Sequence, residues 1–457
     1  MNYTYKNIWL IGYPVMMSIL MEQLINITDA IFLGHVGNTE LGASAIAGIY
    51  YLAVYMLGFG FCTGLQVTIA RRNGERNYSE TGKTFFQGLW FLTALSVILF
   101  LFSKYFSPLL LHRLIKSDEV YTAVMKYTDW RSFGLLFAFP ALAFRAFFVG
   151  TTKTRTLTGN AGIMIVANTG LNFLLIFGKA GFPALGITGA ALASTLSELI
   201  SLGIFTVYTL IKVDRHKYGF SPVFHWHTLK EVLRISVWSM MHSFTSVAPW
   251  LLFFISIEQL GKNELAVANI IRSISALFFV IVSALGAITG SLVSNLLGAG
   301  ERDGIRPVCS KVIRLGYRIG IPLIFTAILF HNRIIGIYTT DSMLIDKAFA
   351  PFLVMLSNYL ISVPAFVYLN AVTGLGATRR AFAFQVITIV FYLVYLGTLN
   401  RLPGTPLAVY CTVEHLFVFI LLILSLLYLK KHAGDQESDK LKTDKTRTIG
   451  TACRKKQ

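Results

Sequence analysis

The sequence predicts an all-α integral membrane protein whose twelve spanning helices form two pseudo-symmetric six-helix bundles. Three observations lead there. Apolar residues make up 55% of the 457 and charged ones only 14%, with 36 phenylalanines and a mean hydropathy of +0.63. Soluble domains carry roughly 25% charged residues, so this chain cannot cover a water-facing surface with charge. Twelve stretches each supply the run of about 20 mostly apolar residues that a helix needs to cross the hydrocarbon core. The chain also repeats itself. Met16-Met17 returns as Met240-Met241, Gly37 as Gly261, and Pro140, Gly150, Thr154 and Arg155 as Pro364, Gly374, Thr378 and Arg379, each 224 positions on; Gly74-Glu75-Arg76 returns as Gly300-Glu301-Arg302 after 226. Six spans per repeat is an even number, so both halves start on one side and are related by an axis along the membrane normal.

Span 1 (8–33) opens after Lys6 and carries Ser18, Glu22, Asn26 and Asp29 at spacings of 4, 4 and 3, one helical face. Span 2 (41–70) stops at Arg71 and Arg72, and span 3 (84–103) lies between Lys83 and Lys104. Span 4 (121–149) carries Arg145 about a turn from its end, where the side chain is expected to snorkel. Span 5 (158–178) holds Asn168 and Asn172 one turn apart. Span 6 (184–211) holds Ser194, Glu198 and Ser201 on one face, with Thr195 alongside. Span 7 (235–260) shows Ser239, His242, Ser243 and Ser246; span 8 (265–297) has Asn269 and Arg272. Spans 9 (308–330), 10 (345–372) and 11 (380–399) follow, and span 12 (404–429) carries Glu414 beside His415. Residues 1–211 thus form the first bundle, 212–234 a connecting loop and 235–430 the second bundle. The polar stretch 431–457, rich in Lys, Asp and Thr, reads as a disordered basic tail.

Net charge is +18. In a soluble chain that would suggest nucleic-acid binding, but here the basic residues sit in loops and the tail. The N-terminus, the even-numbered loops and the tail hold 28 Lys and Arg, the odd-numbered loops 8. Positive-inside bias therefore puts both termini in the cytoplasm and leaves no nucleic-acid partner. Lys6 begins a stretch too long for a signal-peptide core, so no cleavable signal is expected. Cys62, Cys309, Cys411 and Cys453 lack the paired spacing of a disulfide framework or zinc site. His225-Trp226-His227 falls in an interfacial loop, where Trp is ordinary. No Walker A pattern appears, and no nucleophile–base set lies near one interface, so the chain is expected to be neither an ATPase nor another enzyme.

Ionisable side chains inside a membrane are costly and point to function. Two carboxylates on the stripe of span 1, Glu22 near mid-membrane and Asp29 beyond it, lie at depths that Asn168, Asn172, Thr195 and Glu198 can share. Carboxylate, amide and hydroxyl oxygens suit a small hard cation, and a carboxylate in a desolvated cavity can instead carry a proton. The bland alternative is a polar stripe that only fixes helix packing. Asn26, His242, Ser246 and Glu414 are candidate substrate-cavity groups. His242 also reads as a satisfied interior histidine, and Arg272 as a structural counter-charge for Glu414.

These residues resemble those of the multidrug and toxic compound extrusion (MATE) transporters over about residues 8–430. The likeness rests on Pro14 and the run from Asn26 through Asp29 to Gly34, on Asn168-Thr-Gly-Leu-Asn172, on the run from Gly186 to Thr195, and on Gly298-Ala-Gly-Glu301. It implies an outward-facing V of two bundles, in a bacterial inner membrane, that exports small organic cations against entering Na⁺ or H⁺ without other cofactors, as a monomer. It implies a cation site at Asp29, Asn168, Asn172 and Thr195, with Asp29 and Asn172 as Na⁺ ligands if sodium is the coupling ion. Some members carry an acid where Asn172 stands, and many carry acids where this chain has Ser246 and Ser362, so Asp29 is left as the main coupling carboxylate. A lipid-linked saccharide flippase of the same superfamily is the alternative, and it would need a strongly basic cavity, for which only Arg145 and Arg272 are candidates.

Overall fold

The computed structural model describes residues 3–115, 118–258, 260–338 and 342–454, with backbone alone at 38, 41, 114, 251, 255, 258, 262 and 432–454. The described residues are all helical apart from turns and loops. The first half comprises α1 (Tyr5–Gly34), α2 (Asn38–Gly74), α3 (Tyr78–Leu114), α4 (Asp118–Arg131), α5 (Gly134–Gly150), α6 (Arg155–Phe177) and α7 (Ile187–Lys212). The second comprises α8 (Trp226–Thr245), α9 (Ala248–Glu258), α10 (Lys262–Gly298), α11 (Ile305–Leu329), the short α12 (His331–Gly336), α13 (Ser342–Gly374), α14 (Thr378–Leu399) and α15 (Leu407–Arg454). Helices satisfy their own backbone groups, which is what a hydrocarbon surround demands.

Ten of these helices are long and apolar enough to span a membrane, and α4 with α5, bent by 47°, makes an eleventh. The stretch expected as span 7 is also broken, into α8 and α9 at Ser246 and Val247. Pro249 explains that break: it has no N–H to continue the ladder from α8, and its ring crowds the preceding turn. With it counted, the twelve expected spans are all represented.

One expectation for the connections needs correcting. The loop placed at 212–234 is helical from Trp226 onward, and what remains is strapped onto the first half. Gln87 Nε2 donates to the Val223 carbonyl at 2.8 Å and Trp90 Nε1 to that of Pro222 at 3.1 Å, while Gln87 Oε1 accepts from the His225 backbone at 2.9 Å. Beyond Lys431 the helical backbone of α15 runs on to Arg454. Its sequence sets acids three places before bases (Glu437 and Lys440, Asp439 and Lys442, Asp444 and Arg447), a spacing that favours helix.

The 224-residue register is present in three dimensions. Thr154 Oγ1 donates to the Ile11 carbonyl at 2.9 Å, and Thr378 Oγ1, 224 residues on, donates to that of Ile235 at 2.8 Å. Apolar packing divides three ways. One core, containing Ile8, Phe61, Phe147, Ile288, Leu292 and Val363, is shared by both halves. A second lies wholly in the second half around Phe352 and Tyr392, and a third wholly in the first half around Leu33 and Val124. The shared core sits where α1 and α8 begin and α2 and α10 end. Polar contacts between the halves gather there as well: Gln66 Nε2 to Ser291 Oγ at 2.8 Å, Asn73 Nδ2 to Asn295 Oδ1 at 2.7 Å, and Ser294 Oγ to the Val67 carbonyl at 2.7 Å. The result is a V with its apex at this end and a separately packed core in each arm.

Candidate functional site

Inside the first bundle, α1, α6 and α7 bring their polar faces together. Asp29 of α1 accepts from Asn172 Nδ2 at 2.5 Å through Oδ1, and from Ser194 Oγ at 2.9 Å through Oδ2. Asn172 Nδ2 also reaches Asn168 Oδ1 at 3.0 Å, and Asn168 Nδ2 reaches Ser194 Oγ at 3.2 Å. Asn168 and Asn172 are fully buried and Ser194 nearly so. The i, i+4 spacing on α6 sets the two amides one above the other, and Gly189 lets α7 lie against the carbonyl of Leu175 on α6.

The cluster is rich in oxygen: one carboxylate, two amide carbonyls and a hydroxyl. Asn172 Oδ1 is buried and meets no donor, an acceptor without a partner close to the carboxylate. Such a set fits a small hard cation, which prefers oxygen ligands. Among the described residues, no three His, Cys, Asp or Glu side chains gather in the manner of a transition-metal site.

The other expected members of this site are engaged elsewhere. Thr195 Oγ1 donates to the Trp130 carbonyl at 3.0 Å, so it holds α7 on α4 and does not reach Asp29. Glu198 is gripped by Arg131 through two hydrogen bonds of 2.8 and 2.7 Å, and it also accepts from the Tyr51 hydroxyl at 3.0 Å. The Arg131 guanidinium lies 3.6 Å over the Tyr51 ring. Gly134, just past the bend between α4 and α5, leaves room for this pair; a Cβ there would strike both charged groups. Glu22 accepts from Arg145 at 2.7 Å and lies 3.4 Å from Ser18 Oγ. Arg145 therefore does not snorkel: it is buried and turned inward onto α1.

The groups assigned to a substrate cavity are scattered. Asn26 is exposed on α1, one turn before Asp29. Ser246 donates to the Ser243 carbonyl at 2.7 Å at the end of α8, and His242 Nε2 is buried without a partner. Glu414 accepts from the Tyr392 hydroxyl at 3.2 Å. Arg272, expected as its counter-charge, lies instead over the rings of Phe254 at 4.7 Å and Trp250 at 5.7 Å.

Arg131 and Ser194 are the two residues of this region that the sequence does not single out as site residues. Arg131 had a signal, a basic residue in the middle of the apolar run 121–149. Ser194 shares a helical face with Glu198 and Ser201 in the sequence, but its bond to a carboxylate 165 positions away has no sequence signature.

The profile of the MatE family matches residues 14–176 and 239–396. Among curated relatives, the "Probable multidrug resistance protein NorM" of Mannheimia succiniciproducens is 23% identical, over 75% of this chain and 74% of that protein. The protein of the same name from Rhizobium meliloti is 24% identical over 72% and 71%. Among solved structures, the outward-facing conformation of a multidrug resistance MATE family transporter of the MOP superfamily superposes with a TM-score of 0.83 at 15% identity, covering 95% of this chain and 97% of that one. A MATE protein in its straight conformation gives 0.81 at 18% identity with the same coverage. At these identities the structural likeness is one of fold.

Proposed function

The chain belongs to the MatE family, whose members are membrane transporters and not enzymes, and from that premise we propose that it exports small organic cations in exchange for Na⁺ or H⁺ entering through the Asp29 site. The observation that carries the reading is the Asp29–Asn172–Ser194–Asn168 cluster. It sets a carboxylate in the arm of the first half, away from the apex that joins the two halves. An anionic oxygen there binds a cation or a proton, and the loss of that ion changes what α1 can bond to on α6 and α7. Binding that differs between two arrangements of these helices is what an ion gradient needs in order to drive a second solute.

The NorM relatives, named for multidrug resistance, support drug-like substrates and a bacterial inner membrane. The concentration of Lys and Arg at the apex end supports cytoplasmic termini and a V open to the outside. Both halves belong to one chain, which supports a monomer as the working unit. Asn26, His242, Ser246 and Glu414 remain the proposed cavity groups. A saccharide flippase gains no support, because Arg145 is committed to Glu22 and leaves no free basic pair for a pyrophosphate.

The test is uptake of a fluorescent organic cation into everted vesicles under separate Na⁺ and proton gradients. Uptake driven by at least one gradient is expected. Uptake that ignores both while tracking ATP would overturn the reading.

A further inference from the structure

Glu414 of α15 lies 216 positions after Glu198 of α7. Glu198 is neutralised by Arg131, but the residue 224 positions after Arg131 is Met355. Among the described residues no Lys or Arg forms an ion pair with Glu414. Its partner is the hydroxyl of Tyr392, a fully buried side chain of α14, 3.2 Å from Glu414 Oε1 and also 3.2 Å from the Pro249 carbonyl of α9. A tyrosine hydroxyl has one proton to give and here faces two acceptors. If Glu414 is ionised, that proton must serve the carboxylate, and the Pro249 carbonyl keeps only the bond made within its own helix α9. If Glu414 is protonated, its own O–H donates to the tyrosine oxygen, and the tyrosine proton serves Pro249. Only the protonated form makes both bonds between the helices at once. An ionised carboxylate taken from water with no cation beside it is also the costly state.

We propose that Glu414, Tyr392 and the Pro249 carbonyl form a proton-binding site in the second half. A proton taken from solvent onto the Glu414 carboxylate fastens α9 to α14 and α15, and its return to solvent releases α9 at the break after α8. Glu414 is partly exposed. The neighbouring groups are accounted for. Cys411 lies one turn earlier on α15, and His415 turns away to Ser357 of α13 at 2.9 Å. Tyr395 of α14 bonds Thr412 at 2.9 Å, and Arg272 of α10 lies over Trp250 and Phe254.

The link from this proton to transport rests on the ion-coupled export proposed above, but the site itself is testable without a substrate. The experiment is infrared difference spectroscopy of the full chain in lipid nanodiscs, titrated from acid to alkaline pH. A protonated-carboxyl band should titrate in the wild type and vanish from the difference spectrum of Glu414→Gln. Asp29→Asn should keep that band even where its efflux is lost, which separates this site from the one in the first half. Tyr392→Phe, which keeps the ring and the packing, should retain the band at a higher frequency, because the acid has lost its hydrogen-bond partner. Spectra of Glu414→Gln that superimpose on the wild type would overturn the proposal, as would a band unmoved by Tyr392→Phe.

Discussion

Gly74, the last residue of α2, packs directly onto the carbonyl of Asn295, and 224 positions later Gly298, the last residue of α10, packs in the same way onto the carbonyl of Arg71. The repeat is thus written into the contact between the halves: each half ends a helix in a glycine that meets the backbone of the other. Asn295 adds a hydrogen bond from Nδ2 to the Gly150 carbonyl at 3.0 Å, so the apex is a close backbone-to-backbone joint with no gap for a side chain.

Gly74→Ala and Gly298→Ala should therefore each loosen the apex. The added methyl would overlap a carbonyl that cannot swing aside, and overpacking of this kind costs about 1–3 kcal/mol. Gly48→Ala in the same helix α2 meets open space and should be neutral or slightly stabilising, since alanine is the better helix former. Thermal unfolding of the three purified variants decides it; equal midpoints for all three would refute the joint.

Glu198→Gln should damage folding more than coupling. Arg131 and Glu198 are both largely buried, with side chains 13% and 9% exposed, and breaking a buried pair from one side costs about 3–5 kcal/mol because the remaining charge is left uncompensated. Removing both charges together, as Arg131→Met with Glu198→Leu, should recover much of that loss. Yield and unfolding midpoint of the single and double variants are the measurements. A stable single variant with lost ion coupling would instead make Glu198 part of the ion path.

Much of this was legible in sequence because it depends on local composition or on register. The apolar runs gave the spans, and the offsets of Pro140, Gly150 and Thr154 gave the two-fold. The one-turn spacings on α1 and α6 put Asp29, Asn168 and Asn172 on inward faces, where they do meet. What stayed hidden depends on tertiary partners. The bend at Ser132 and Phe133 has no proline within it, so the hydropathy of 121–149 reads as one straight helix. Arg131 and Glu198 are 67 positions apart, and only the packing of α4 against α7 joins them. Thr195 is a site residue by resemblance to the MATE transporters, yet one step along a helix from Ser194 turns a side chain by about 100° and carries its hydroxyl to the Trp130 carbonyl. Arg272 and Glu414 seemed matched by charge alone, but the aromatic faces of Phe254 and Trp250 hold the arginine.

Cysteines introduced at Thr39 and Gly261, equivalent places near the far ends of the two halves, should react with a membrane-impermeant reagent in intact cells. Both positions lie at the end opposite the apex, and the apex end carries most of the Lys and Arg, the side expected to face the cytoplasm. Protection of both in intact cells, with labelling only after permeabilisation, would invert the proposed orientation.

Asp29→Asn is the sharpest test of the ion site. The change keeps side-chain volume and removes the charge that one cation or one proton would answer. It also swaps an acceptor for an amide donor beside Asn172 Nδ2 and Ser194 Oγ. Asn172 can rotate to offer its unpartnered Oδ1, so the variant should fold and reach the membrane. If Asp29 serves only packing, efflux should stay near the wild-type rate. If it binds the coupling ion, gradient-driven efflux should fall to the background of empty vesicles, with expression and binding of the organic cation preserved, because no anionic partner remains for the ion. Ser194→Ala removes one of the two donors to the carboxylate and leaves its charge, so it should weaken ion dependence without abolishing transport. Ser246→Ala, at the end of α8, should change least. Wild-type efflux in Asp29→Asn, with efflux abolished by Glu414→Gln, would move the coupling site out of the first half altogether.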